Sequence, residues 1–256
     1  MEELLKQIAR NTKPKESFQF IVTDNKTEFT HIFNTPIKLD KESHYEIALV
    51  NLETWYSFPN VDSTNNVLKY SNDNGASWYE ILIPEGSYEL DAIDSEIARQ
   101  MKQRNHYDRV RNQSYIKLSP NNSTLKSVME IDGNYKVDFR VPNSINTILG
   151  FKNKVYHAGY NESEDIVNIL VVSSIFIEID IINGSYVNGK RQPIIYSFFP
   201  AAEPGYKIVE NPRNLVYLPV NMNEISKMNV RLTDQNGKLL NLRGENITMR
   251  FHMRGM

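Results

Sequence analysis

The chain contains no cysteine among its 256 residues. That absence removes thiol nucleophiles, zinc-thiolate sites, iron–sulfur centres and any disulfide framework. Histidine is scarce as well. His31, His44, His106, His157 and His252 show no HxH, HExxH or HxxxH spacing, so none pairs by spacing with another on one metal. No GxSxG elbow occurs, no glycine-rich phosphate loop precedes a helix, and no DxDxDG calcium loop is present. Asp234-Gln-Asn-Gly237 has half of a calcium loop but lacks the later acidic positions, and it reads as a hairpin turn. No apolar run reaches the roughly 20 residues of a membrane span. The N-terminus MEELLKQIARN lacks the apolar centre of a secretion signal, so a protein that is not secreted is expected. A formal net charge of -2 argues against nucleic acid wrapped over the whole surface. The expectation is a protein that is not an enzyme, with no catalytic residue, no cofactor, no metal site and no membrane span.

What is present is β grammar. A compact chain of this length removes roughly 70–75% of its unfolded surface from water, enough for a core without staples. Tyr45 to Leu52 (YEIALVNL) reads as a strand with both faces apolar. Ile166 to Ile182 is almost continuously apolar or β-branched, and Asn168, Ser173, Ser174, Glu178 and Asp180 interrupt it; two core strands, or one bent near Ser173-Ser174, are expected. Phe18 to Val22 and Phe29 to Phe33 bracket a Thr-Asp-Asn-Lys turn, which predicts a first hairpin. Asn74-Gly75 predicts a second, between Val67 to Tyr70 and Trp78 to Ile83, and Asn188-Gly189 supplies the same turn chemistry. Met228 to Leu232 and Ile247 to His252 alternate cleanly and form the last strands.

One helix stands out: Ile93, Ile97 and Met101 recur at four-residue spacing, with Asp91 or Asp94 placed to cap it. Glu2 to Ala9 would make less than three helical turns, marginal alone. Roughly ten to twelve strands with segregated helices exclude a doubly wound α/β fold.

Several clusters carry charge without a catalytic signature. Glu178 and Asp180, two apart on one strand, share a face, the geometry of an acid/base pair or of a salt link to arginine. Glu162, Glu164 and Asp165 crowd one loop. Arg99 to Arg111 gathers Arg99, Lys102, Arg104, Arg109 and Arg111 around His106 and Tyr107, a composition compatible with single-stranded nucleic acid or with the exposed face of a helix. The latter is preferred, and nucleic-acid contact is not expected. Asn25-Lys-Thr, Asn112-Gln-Ser, Asn161-Glu-Ser, Asn183-Gly-Ser and Asn246-Ile-Thr match the glycosylation pattern and read as chance in an asparagine-rich chain.

The tail from Ile182 to Met256 resembles the C-terminal half of the penton-type minor capsid proteins of Polinton/Maverick elements and adintovirus-like viruses. The residues that carry this are Val230-Arg-Leu-Thr-Asp234, Gly237, Leu240, Leu242, Gly244-Glu245 and Ile247 to His252. Glu46 to Asn60 (EIALVNLETWYSFPN) and Ile83 to Ile97 (IPEGSYELDAIDSEI) resemble earlier parts of the same family.

The resemblance implies an all-β fold, a single jelly-roll β-sandwich of two antiparallel sheets with one short helix and long loops. It also implies a homopentamer in a virion capsid, plugging icosahedral vertices among trimers of a major capsid protein, with synthesis in the host cytoplasm or nucleus. On this reading residues 1–17 are an N-terminal arm, disordered or docked on a partner, and 18–256 the jelly-roll capsid domain. The expected subunit interface draws on Trp55 and Phe58 in the early loop, Arg99 and Arg104 on the helix, and Phe199 to Tyr206 in the late loop. The competing expectations are a soluble jelly-roll that binds carbohydrate or a receptor through Trp78 and Tyr79, a cupin-like enzyme, and a host-domesticated copy that forms an oligomer.

Overall fold

The computed structural model describes residues 16–256; the arm and short helix expected over residues 1–15 lie outside the described residues. The chain falls into two compact units. One comprises residues 16–56 and 172–256, the other Ser57–Val171.

In the first unit eight strands matter: β1 (Ser17–Asp24), β2 (Glu28–Lys38), β3 (Tyr45–Trp55), β4 (Ile175–Ile179), β5 (Ile194–Phe198), β6 (Lys207–Glu210), β7 (Glu224–Asp234) and β8 (Ile247–Gly255). They form two antiparallel sheets, β1-β8-β3-β6 and β5-β4-β7-β2. Strands consecutive in the chain alternate between the sheets except at β4 and β5, which is the order of an eight-stranded jelly-roll. The whole second unit enters between β3 and β4.

Alternation fills this sandwich. Along β8, Ile247, Met249, Phe251 and Met253 are buried while Thr248, Arg250, His252 and Arg254 face out. Ile225, Met228, Val230 and Leu232 of β7 and Ile175, Ile177 and Ile179 of β4 supply the opposing layer. Phe20 of β1 joins the two, stacked on Phe251 at 5.4 Å and edge-on to Phe33 of β2 at 5.3 Å. In β3 the buried set shifts phase from Tyr45, Ile47 and Leu49 to Leu52 and Thr54. The register explains it: Arg250 faces Asn51 and Phe251 faces Leu49, so Val50 is the extra residue of a bulge. That bulge is why the sequence shows both faces of this strand as apolar.

Two sequence expectations change here. β1 and β2 follow one another through a tight turn but pair with β8 and β7 in different sheets, so the predicted first hairpin does not form. Ile166 to Ile182 contributes one five-residue strand, β4, and residues 166–174 run without regular structure, with Ile166, Leu170 and Val171 exposed. Pairing with β5 on one side and β7 on the other, rather than β propensity, decides which part of such a run is strand.

The inserted unit has its own core of Leu68, Tyr70, Ile81, Ile83, Phe139, Phe151 and their neighbours. Val67–Ser71 pairs with Tyr79–Leu82 as the predicted hairpin, with positive φ at Asn74 and Gly75. Ile116–Asn121, Lys126–Ile131 and Gly159–Glu162 make a separate three-stranded sheet. Helix α1 (Leu90–Gln103) buries Leu90, Ile93, Ile97 and Met101, as its spacing requires. Its N-cap is Glu89, with no side-chain cap bond. Asp94 instead accepts the Leu118 N–H at 2.6 Å and ties α1 to the three-stranded sheet, and burial raises the pKa of its carboxyl. Asp91 lies in the first turn, where a carboxylate favours the helix dipole.

Candidate interaction surface

Two exposed aromatic residues of the jelly-roll, Trp55 and Tyr206, meet where the end of β3 lies beside the start of the edge strand β6; Phe199 follows β5, and Tyr186 lies on a separate short hairpin. Trp55 is the last residue of β3 and stands opposite Lys207 in the register. The chain before β6 is held there by two backbone bonds: the Tyr56 N–H donates to the Tyr206 carbonyl at 2.8 Å, and the Gly205 N–H donates to the Tyr56 carbonyl at 2.8 Å. Lys207 Nζ reaches Glu53 Oε2 at 2.5 Å across the same pair of strands. Trp55, Phe199, Tyr206 and Val209 are left 42%, 51%, 65% and 51% exposed. Large side chains held on ordered backbone at a sheet edge can bury much area on a partner at little entropic cost.

The other predicted contact residues belong to the inserted unit. Phe58 is only 4% exposed and lies within the fold, its carbonyl accepting the Ser87 hydroxyl at 2.6 Å. Arg99 forks onto Glu96 with two bonds of 2.7 Å, and that hydrogen bonding lowers the pKa of the Glu96 carboxyl. Arg104 donates to the Glu80 carbonyl at 2.7 Å. The remaining cations of this basic run are engaged too: Lys102 lies 5.2 Å from the Tyr107 ring, Arg109 bonds Asn105, and Arg111 pairs with Asp108 at 3.8 Å. Intramolecular partners therefore account for the charge that the sequence concentrates here.

The carboxylate clusters resolve the same way. Glu178 bonds Arg231 at 3.0 Å and Thr233 at 3.2 Å across β4 and β7, while Asp180 takes the Asn229 N–H at 2.9 Å and its side-chain amide at 2.6 Å. Each has its own cross-strand partner: Glu178 forms a salt link to arginine, and Asp180 is hydrogen-bonded to a neutral asparagine. In the inserted unit Glu162 accepts from Asn121 and Thr124. Burial works to raise the pKa of the Glu164 carboxyl, but Lys154 at 2.6 Å, the Tyr156 hydroxyl and the Lys152 amide outweigh it and bring it down to about 2. Asp234 Oδ1 accepts the N–H groups of Asn236 and Lys238, a turn that closes on itself.

The histidines serve separate local networks. His106 lies between the Tyr70 hydroxyl at 2.8 Å and the Asn72 amide at 3.0 Å, and His252 between Ser17 at 2.7 Å and Tyr217 at 2.5 Å. Among the described residues no group of three or more His, Cys, Asp or Glu side chains could hold a metal ion, and no helix is long and apolar enough to cross a membrane. Trp78 lies under Lys69 at 5.5 Å and Tyr79 against Tyr70 and His106, so both aromatics of the expected sugar cleft have protein neighbours. Val209, exposed on the strand that begins beside Trp55, is a residue of this surface that the sequence did not single out. Its signal, an apolar residue in a four-residue strand between turns, could not by itself indicate the sheet edge.

No protein-family model and no curated protein matches the chain. Among solved structures, the crystal structure of the selenomethionine-labelled mavirus penton protein matches with a TM-score of 0.50 and 10% identity, over 94% of this chain and 100% of that one. Identity this low establishes architecture and nothing finer. The chain is an all-β, jelly-roll protein with the fold of a penton protein.

Proposed function

We propose that the chain is a structural penton-type minor capsid protein of the Polinton/Maverick and adintovirus-like kind, and that five copies form the vertex capsomer of an icosahedral particle. The single observation that carries this reading is the reach of the match: it spans the jelly-roll and the inserted unit together, and the full length of the mavirus penton chain. A jelly-roll common to many binding modules would be expected to match without its insert.

The chemistry supports the same reading. Carboxylates and arginines that could have formed a reactive centre are spent on bonds within the helix, from helix to sheet and across strands, whereas Trp55 and Tyr206 stand exposed at a sheet edge. A subunit flank needs that: apolar area in the centre with polar groups around it. On this proposal Trp55, Phe199 and Tyr206, with Val209, form one flank of the contact between neighbouring copies. Arg99 and Arg104 lie on the inserted unit as polar contacts, and Phe58 supports its fold from inside. The major capsid protein trimers are the second partner, the capsid is the site of action, and no reaction is catalysed.

Native mass of the purified chain across a concentration series tests the proposal. Five times 29.7 kDa is the expected species, formed by the chain alone or on adding the major capsid protein. A monomer that persists in both settings overturns it.

A further inference from the structure

We propose that a recess at the foot of the short hairpin after β4 is a binding site for a neutral, polyhydroxylated ligand, a single sugar residue of a glycan. The recess lies within the jelly-roll unit and has a volume of about 300 Å³, with Ile182 and Pro193 in its wall. Its polar wall consists of Asp180, Asn183, Arg191, Gln192 and Asn221.

Backbone geometry gathers these groups from three stretches of chain. Ser185–Val187 pairs with Lys190–Gln192 around Asn188-Gly189, whose φ values of 49° and 76° close the turn. This hairpin carries Arg191 and Gln192. Ile182 bridges to Val220, and the Asn221 N–H donates to the Ile181 carbonyl at 3.0 Å, which brings the Asn221 side chain to the end of β4. Asn229 holds both oxygens of Asp180 in place, yet each oxygen keeps acceptor capacity. The Arg191 side chain makes no hydrogen bond or ion pair among the described residues.

The mixture of groups selects the ligand class. A carboxylate accepts only, a guanidinium donates only, and the amides do both. Adjacent hydroxyls of a sugar can donate to Asp180 and accept from Arg191 at once, while the C–H face of the ring covers Ile182 and Pro193. A small anion would meet the Asp180 carboxylate, a small cation would meet Arg191, and an apolar ligand would strand polar side chains without partners. The volume is at the lower limit of small-molecule pockets, enough for one ring. None of this depends on the penton reading, because the recess is built within one copy.

The test is titration of the full chain with methyl glycosides of neutral hexoses and N-acetylhexosamines, with sialic acid as the acidic control, followed by amide chemical shifts. The expected result is saturable binding of at least one neutral glycoside with Kd on the order of 1 mM, with shifts at Asn183, Gln192 and Asn221. Arg191→Ala removes an exposed, unpartnered side chain, so its fold should persist and its affinity should fall about tenfold. Absence of saturable binding, binding of the acidic sugar alone, or binding unchanged by both Arg191→Ala and Asn221→Ala would each overturn the assignment. Native mass of the same samples reports on assembly separately, so the failure of one reading is distinguishable from failure of the other.

Discussion

The two units of this chain solve the same packing problem by opposite routes. The jelly-roll pairs residues from the two ends of the described chain, Ser17 with Arg254 and Asp24 with Ile247. The inserted unit pairs near neighbours, Ile116–Asn121 with Lys126–Ile131 across a turn and Val67–Ser71 with Tyr79–Leu82. Their cores differ in kind as well. The jelly-roll interior is aliphatic and methionine-rich around Phe20, Phe33 and Phe251. The insert stacks tyrosines whose hydroxyls need partners: Tyr70 with Tyr79 and Tyr135, Tyr135 with Tyr115, and Tyr156 bonded to Glu164. Long-range pairing carries loop-closure entropy before any contact repays it. An insert with local contacts and a separate core can therefore sit between β3 and β4 while β3 still finds β8.

The largest expected effect falls on the jelly-roll. Phe251→Ala should cost about 4 kcal/mol, because a fully buried ring that also stacks on Phe20 leaves a cavity. Denaturant unfolding measures the loss. Hydrogen exchange should show it in β1, β3 and β8 while the Ile116–Ile131 hairpin stays protected. Equal loss of protection in both units would break the comparison.

Gly150→Ala is the counterpart in the insert. Gly150 has φ +78°, and an added Cβ would fall on the Asp165 carbonyl oxygen, with the Ile166 oxygen at 2.9 Å. Backbone strain and overlap together should cost about 3 kcal/mol, with exchange rising within Ser57–Val171 first.

Acid should separate the units more gently. Burial, and then the Arg104 charge, lower the pKa of His106. A histidine whose folded pKa is depressed binds fewer protons than in the unfolded chain, so the insert should lose stability as pH falls below about 6.5, the ordinary value, down to the folded pKa. His106→Gln should flatten that slope in an unfolding series. At lower pH the Glu164 carboxyl, brought down to about 2, adds a second loss. Stability present above its ordinary pKa of about 4.3 disappears as pH drops toward 2, and Glu164→Gln should remove this step.

The smallest effect on stability, and the most telling for function, is at Trp55. With 42% of the residue already exposed, Trp55→Ala should change monomer stability by no more than about 1 kcal/mol. On the penton proposal it should nevertheless shift the native-mass series toward monomer, and Phe199→Ala should do the same. Assembly unaffected by either change would move the flank elsewhere.

Local signals survived the passage from sequence to structure where the physics is local. Asn74-Gly75 and Asn188-Gly189 turn as their left-handed conformations require, and Ile93, Ile97 and Met101 bury one helical stripe. Asp234-Gln-Asn-Gly237 closes its own turn, with Asp234 accepting two backbone N–H groups. Signals failed where a residue could be used in two ways. The Phe18 to Phe33 region has hairpin grammar, but its strands face one another across the sandwich instead of pairing. The long run after Ile166 has β-branched composition throughout, yet only Ile175–Ile179 is paired on both sides. Phe58 looked like a loop aromatic free for contact and proved to be interior packing. Residues 57–171 do not stand out as a unit in the sequence, because strand alternation and turn chemistry are the same in both parts and only packing sorts the tyrosines and the aliphatic residues into separate cores.

The order of amino acids alone determined the β-rich class, the turns and the helix Leu90–Gln103, since each follows from side-chain periodicity or backbone sterics within a few residues. Which strand lies beside which, where the bulge in β3 flips the buried face, and which aromatics remain outside were decided by closure of the sandwich, because those choices depend on partners far along the chain, such as Arg254 opposite Ser17, Arg250 opposite Asn51 and Lys207 opposite Trp55.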